Sequence, residues 1–298
     1  MTSMRERIKG SIPALITPMK NGKVDEAAFR KLVSWQIEQG SQGLVPCGTT
    51  GESPTLSHEE HVRVIEICVE EAAGRVPVIA GAGSNSTEEA ISLHRHAKEV
   101  GADAVLSVTG YYNKPSQEGQ YRHFKALAEA VDIPILLYNI PGRAIVEISV
   151  ETMARLSEVP GIIGVKDATA NLMRPTRERN ACKKGWRQVS GEDGTVLGYM
   201  AHGGHGCISV TANVAPKLCA EFQDVCLKGN YDRARELHDR LMPLHDAMFC
   251  EPSPAPAKYG VSLLGHCTPE VRLPLVDLTG PGQAVVKQAM KGLGLPIS

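Results

Sequence analysis

The sequence predicts an α/β fold: a (β/α)8, or TIM, barrel followed by a small C-terminal helical domain. Three observations predict it. Short β-branched runs alternate with amphipathic helical stretches eight times at a regular spacing. The chain has 298 residues, and barrels of this kind take about 250. Beyond the eighth run only helical patterns remain. The expected division is a barrel over 1–229 and a helical domain over 230–298. A doubly wound sheet is the alternative, but Gly81-Ala82-Gly83-Ser84-Asn85-Ser86 lacks the third glycine of a dinucleotide loop.

The first strand is expected at Ile12 to Thr17, ended by Pro18. Asp25 then caps a helix with Phe29, Leu32, Val33 and Ile37 on one face, and Gly40 stops it. Gly43 to Pro46 reads as the second strand and runs into the polar loop Gly48-Thr49-Thr50-Gly51-Glu52. Ser57 and Glu60 form a capping box for a helix that turns Val62, Ile65 and Val69 inward. Pro77 to Ala80 is the third strand. Ser86 and Glu89 cap the next helix in the same way, and Gly101 closes it. Ala104 to Leu106 is the fourth strand and opens into Tyr111-Tyr112-Asn113. A helix from Gln117 to Val131, a fifth strand from Ile133 to Tyr138 and a helix near Ser149 to Ser157 follow. Gly161 to Ala168 holds the sixth strand, Trp186 to Val189 the seventh and Cys207 to Val210 the eighth. The C-terminal helices are expected at Tyr231 to Met248, near Ala257 to Leu264, and at Gln283 to Leu293.

Composition narrows the function. The net charge is −1 with both signs mixed along the chain, so no basic stripe offers itself to nucleic acid. Aromatic residues, at 4%, are too few for base-stacking platforms. The apolar runs are too short to span a membrane, and Met1 to Arg7 lacks the apolar centre of a signal peptide. Eight cysteines form no C-x-x-C pair, and several lie in apolar patterns such as Ile67-Cys68-Val69. They read as reduced, buried thiols of a cytoplasmic protein. The sequon Asn85-Ser86-Thr87 carries no weight without a secretory signal.

In such a barrel the reacting side chains stand at the C-terminal ends of strands, on one rim. Lys166 ends the sixth strand. Burial favours the neutral, nucleophilic form of a lysine amine, which suits a Schiff base with a carbonyl substrate. The plainer account pairs Lys166 with Asp167 or another carboxylate. Thr49 and Thr50 follow the second strand, Tyr111 and Tyr112 the fourth, and Tyr138 ends the fifth with Arg143 just beyond. Gly191 follows the seventh strand and Ile208 lies on the eighth. Each has an ordinary role open to it. The threonines can satisfy loop backbone, the tyrosines can edge the core, and Arg143 can pair with a surface carboxylate. Convergence on one rim favours a functional site. Metal is not expected, because His58 and His61 stand three apart rather than the four of H-E-x-x-H. His202 and His205 precede the eighth strand and belong to the opposite rim or a turn.

Four stretches then stand out together: Gly48-Thr49-Thr50-Gly51-Glu52, Tyr111-Tyr112-Asn113-Lys114-Pro115, Tyr138-Asn139-Ile140-Pro141-Gly142-Arg143 and Gly164-Val165-Lys166-Asp167-Ala168. They resemble the dihydrodipicolinate synthase family, within the N-acetylneuraminate lyase superfamily of class I aldolases. The resemblance runs from about Gly10 into the C-terminal helices. It implies a cytoplasmic lyase that condenses pyruvate with L-aspartate 4-semialdehyde in lysine and diaminopimelate biosynthesis. The enzyme would be a homotetramer, a dimer of dimers, with no cofactor beyond the covalent imine of pyruvate on Lys166. Thr50, Ile208 and Gly191 would serve the pyruvate end. Tyr138, Thr49 and Tyr112 would relay protons, Tyr112 coming from a neighbouring subunit. Arg143 would bind a carboxylate of the semialdehyde. Ser53, His58, His61, Asn85, Glu89 and Tyr111 match the family's site for feedback inhibition by L-lysine.

Three positions depart from the family pattern: Ser253 within Glu251-Pro252-Ser253-Pro254, Gly142 before the arginine, and Pro54. By strand alternation Asp167 should point away from Lys166. The nearest rival is another pyruvate aldolase or dehydratase acting on sialic acid or a keto-deoxy sugar acid. It would share Lys166 and Tyr138, but Thr49, Tyr112 and Arg143 fit a small dicarboxylic product better. A non-catalytic pyruvate or lysine sensor would not need the Lys166, Tyr138 and Thr49 set. A flavin or phosphate-binding barrel would need a phosphate loop, and Ser190-Gly191-Glu192-Asp193-Gly194 is acidic.

Overall fold

The computed structural model describes residues 4–297; Met1 to Ser3, part of the N-terminal stretch read above, and Ser298 lie outside the described residues. Seven apolar runs form strands: β1 Gly10–Pro13, β2 Ile79–Gly81, β3 Ala104–Val108, β4 Ile135–Asn139, β5 Ile162–Asp167, β6 Arg187–Ser190 and β7 Gly206–Ser209. They form one sheet of order β1-β7-β6-β5-β4-β3-β2, with every neighbouring pair parallel. Leu44 and Val45 close it by bridging Val78 and Ala14. Ile79 N donates to Leu44 O at 2.8 Å and Val45 N to Pro13 O at 3.0 Å. The expected second strand is therefore this short segment, and the fold is the expected barrel with helices around it.

Both faces of the sheet are buried, as all-parallel sheets require. Ile12, Val45, Ile79, Leu106, Leu136, Ile163, Val189 and Ile208 fill the barrel interior. The alternate residues, among them Val105, Ile135, Leu137 and Val165, pack outward against Phe29, Ile65, Phe124 and Leu156 of the helices. Each such side chain contributes about 1.5–3 kcal/mol on burial. Helix starts follow their caps: the Asp25 side chain accepts from Ala28 N, and the Ser57–Glu60 box is complete. The Ser86 hydroxyl accepts from Glu89 N, but the Glu89 carboxylate turns instead to Ser84 Oγ and His58. The second capping box is thus only half made, which leaves Glu89 available to the site below.

The structure corrects several boundaries. The first strand stops at Pro13, because Ile16 N bonds Asn213 Oδ1 at 3.0 Å and Thr17 Oγ1 bonds Gly51 O at 2.7 Å, so side chains and a loop replace the ladder. In the helix His58–Ala72 the buried residues are His61, Val64, Ile65, Ile67, Cys68 and Ala72, with Val62 and Val69 half-buried. Among the described residues five helices lay unread in the sequence: Arg174–Ala181, Val196–Ala201 and Pro216–Leu227, and the single turns Met4–Arg7 and Pro141–Ala144. The first has no apolar stripe, and the second is barely a turn and a half. The C-terminal helices run Tyr231–Ala247, Ala255–Leu263 and Gly280–Gly292. Among the described residues no helix is long and apolar enough to cross a membrane. All eight cysteines are unpaired, six of them buried.

Candidate active site

The register of three strands builds the centre. Tyr138 on β4 lies opposite Lys166 on β5, and Lys166 opposite Val189 on β6. Register partners face the same side of a sheet, so all three point to the barrel interior. Lys166 is 6% exposed, and its Nζ lies 4.1 Å from the centre of the Tyr138 ring. Among the described residues no carboxylate stands at ion-pair distance from it. Asp167 faces the other way, as strand alternation requires. Its carboxylate accepts from Thr169 N at 2.8 Å and Thr169 Oγ1 at 2.6 Å, and pairs with Arg174 Nε at 3.1 Å. The Lys166–Asp167 ion pair does not form. A Cβ on Gly191 would stand 2.8 Å from Lys166 Cε and 2.9 Å from Ala168 Cβ, so a side chain there would displace the amine's stem. Ile208 shares the interior cluster with Tyr138, and Thr50 is buried in its loop.

A cavity of about 430 Å³ opens beside this centre. Thr49, Tyr138 and Arg143 are among the residues lining it, together with Ser53, His58, His61, Glu89 and Tyr111. Two groups of residues assigned to separate roles therefore share one space in the single chain. Arg143 stands exposed on the short helix Pro141–Ala144 without a carboxylate partner among the described residues. Burial pushes the His61 imidazole down to about 4, so it is neutral near pH 7. His58 Nε2 approaches Glu89 Oε1 at 3.4 Å. Lys166, Thr50, Gly191 and Ile208 lie off the lining of this cavity. Asn85 also lies off the lining but frames its edge, donating to Tyr111 O at 3.1 Å and accepting from Asn113 Nδ2 at 2.8 Å. Tyr112 does not join the others: it is 89% exposed, with φ +69°. His205 sits where expected, at the opposite rim, its carbonyl accepting from Gly10 N at the start of β1.

Three supporting groups escaped sequence reasoning. Asp193 accepts from Ser209 Oγ at 2.6 Å, Val210 N at 2.8 Å and Thr211 N at 3.1 Å, which ties the turn after β6 to the end of β7. Arg174 lies buried among Asp167, Glu178 and Glu147 behind the Lys166 strand. Glu52 pairs with Lys258 at 2.5 Å, both fully enclosed. A signal for the last was present: Lys258 is the one charge in the apolar stretch Ala255-Pro256-Ala257-Lys258-Tyr259-Gly260-Val261. Burial lowers its ammonium's affinity for the proton, and Glu52 opposes that. Among the described residues no group of three or more His, Cys, Asp or Glu side chains is placed to hold a metal ion.

The model of the Dihydrodipicolinate synthetase family matches residues 7–293. The 4-hydroxy-tetrahydrodipicolinate synthase of Parvibaculum lavamentivorans is 66% identical over 287 residues, covering 96% of this chain and 99% of that protein. The crystal structure of the chloride-inhibited dihydrodipicolinate synthase of Acinetobacter baumannii, complexed with pyruvate, superposes with a TM-score of 0.94 at 45% identity. It covers 97% of this chain and 99% of its own. The lysine-bound enzyme of Cyanidioschyzon merolae gives a TM-score of 0.94 at 38% identity, with the same coverage. On full-length similarity of sequence and fold alike, the chain belongs to the Dihydrodipicolinate synthetase family.

Proposed function

We propose that this chain is a lyase that condenses pyruvate with L-aspartate 4-semialdehyde to 4-hydroxy-tetrahydrodipicolinate, in lysine and diaminopimelate biosynthesis. The observation that carries the reading is Lys166: a buried amine with no carboxylate partner among the described residues, against the Tyr138 ring, in space that Gly191 leaves open. Its Nζ adds to the pyruvate carbonyl, and loss of water gives the imine without an external cofactor. The imine draws electrons from the methyl group, which loses a proton to become an enamine. The enamine carbon then attacks the aldehyde. Attack of the semialdehyde's own amine on the imine carbon closes the ring and frees Lys166.

Thr50 and Ile208 hold the pyruvate end, with Gly191 giving it room. Tyr138, Thr49 and Tyr112 carry protons to and from the imine, a task hydroxyls can share without an ionised carboxylate. Tyr112 is almost fully exposed in the single chain, which fits a hydroxyl supplied to a neighbouring subunit of a homotetramer. Arg143, on the cavity wall and without a carboxylate partner among the described residues, offers a guanidinium fork to the semialdehyde's carboxylate. Catalysis belongs to a cytoplasmic barrel of residues 1–229, with 230–298 as its helical companion.

L-lysine inhibits by occupying the part of the cavity lined by Ser53, His58, His61, Glu89 and Tyr111, with Asn85 at its edge. Glu89 is the natural partner for an ammonium, and a lysine-bound relative supports the reading. Pro54 lines the same space and tunes effector contacts. Gly142 has open space where a Cβ would stand, so its departure from serine leaves Arg143 in place.

The test is borohydride reduction in the presence of pyruvate, followed by mass mapping. The expected adduct is on Lys166, and an adduct on another residue refutes the mechanism. Pyruvate consumption on adding aspartate semialdehyde then separates this enzyme from aldolases of sugar acids.

A further inference from the structure

We infer that Glu52 is a positioning residue for the pyruvate step, and that Lys258 and Arg272 of the C-terminal segment hold it there. The inference rests on the reaction proposed above. Glu52 closes the loop that carries Thr49 and Thr50, and its backbone stands at φ +57°, where a side chain is uncommon. Glu52 N donates to Thr49 O at 3.1 Å, Gly51 N to Gly48 O at 3.0 Å, and Thr17 Oγ1 reaches Gly51 O at 2.7 Å. The loop is therefore stiff, and whatever fixes Glu52 fixes the threonines.

Both oxygens of its carboxylate are held from far along the chain. Lys258 Nζ donates to Oε1 at 2.5 Å and Arg272 N to Oε2 at 3.0 Å, across 206 and 220 positions. The Arg272 guanidinium grips the next helix, reaching the two Glu60 oxygens at 2.6 and 2.5 Å and Thr55 O at 2.8 Å. Ser53 of the lysine-binding wall lies between these anchors. Buried ion pairs are an inefficient way to stabilise a fold, since apolar residues of like volume do as well. What such a pair adds is direction: a carboxylate held at both oxygens cannot rotate. Arg143 stands on the short helix Pro141–Ala144, outside this clasp. The clasp therefore acts on pyruvate binding and leaves recognition of the semialdehyde alone.

The test replaces both buried charges together, Glu52→Gln with Lys258→Met, so that neither is left unpaired. The pyruvate KM rises about tenfold while the semialdehyde KM stays within about twofold. If that variant does not fold, Glu52→Asp, which keeps the charge and shortens the reach by one methylene, is read in the same way. A pyruvate KM that does not move, or two KM values that move together, overturns the inference. Borohydride trapping on the parent enzyme keeps the two ideas apart. A parent not labelled at Lys166 refutes the reaction, whereas a labelled parent whose variants bind pyruvate normally refutes the clasp alone.

Discussion

Replacing Gly191 by alanine would put a methyl carbon 2.8 Å from Lys166 Cε. Either the lysine stem or β6 must shift, and a misplacement of about 1 Å costs a reaction about 10²-fold. Gly191→Ala is therefore expected to slow borohydride trapping with pyruvate and kcat by about that factor; unchanged trapping would contradict the crowding. Tyr138→Phe makes a cleaner cut. It keeps the ring 4.1 Å from Nζ and removes only the hydroxyl, so trapping persists while kcat falls by about 10²–10⁴. At this scale much was legible. Period-two alternation alone sends Lys166 inward and Asp167 outward, and Tyr138 announced itself as a polar end to an apolar strand. The identity of Asp167's partner was not legible, because Arg174 reaches it from a helix with no readable stripe.

That helix, Arg174–Ala181, owes its place to charge rather than to burial of an apolar face. Arg174 Nε holds Asp167 at 3.1 Å, and one terminal nitrogen reaches Glu178 at 2.8 Å and Ile148 O at 2.9 Å. Burial pushes the Glu178 carboxyl up to about 7, with Arg174 pulling against it. Arg174→Met leaves two enclosed carboxylates without their cation and is expected to cost about 3–5 kcal/mol. Urea denaturation checks it, and a loss below about 1 kcal/mol would show that the cluster is not what fixes the helix. The helix His58–Ala72 is the contrasting case. Its capping box was visible in sequence, while of the expected stripe only Ile65 is fully buried, and Ser57→Ala should cost only about 1 kcal/mol.

Across the whole molecule, burial makes seven imidazoles among the described residues harder to protonate: His61, His94 and His205 fall from 6.5 to about 4, and His123, His238, His245 and His266 are lowered as well. Unfolding returns them to their ordinary range, so the unfolded chain binds more protons between those values. Their stabilising contribution is complete above about pH 6.5 and is lost as pH falls toward about 4. Denaturation midpoints measured between about pH 7 and 4.5 should decline as these imidazoles take up protons on unfolding, with Glu178, its carboxyl raised to about 7, partly offsetting them. A flat profile would contradict the burial assigned to them. The sequence by itself determined the barrel, the order of its strands and the run of helices that follows it. These are periodic, local features, and each strand or helix writes its pattern into a few adjacent residues. Tertiary structure alone decided how the sheet closes through Leu44 and Val45, that the Thr49–Tyr138–Arg143 wall and the His58–Glu89 wall share one cavity, and that Lys258 meets Glu52. Those outcomes depend on side chains up to 206 positions apart coming within hydrogen-bond reach, and distance along a chain carries no periodic trace of distance in space.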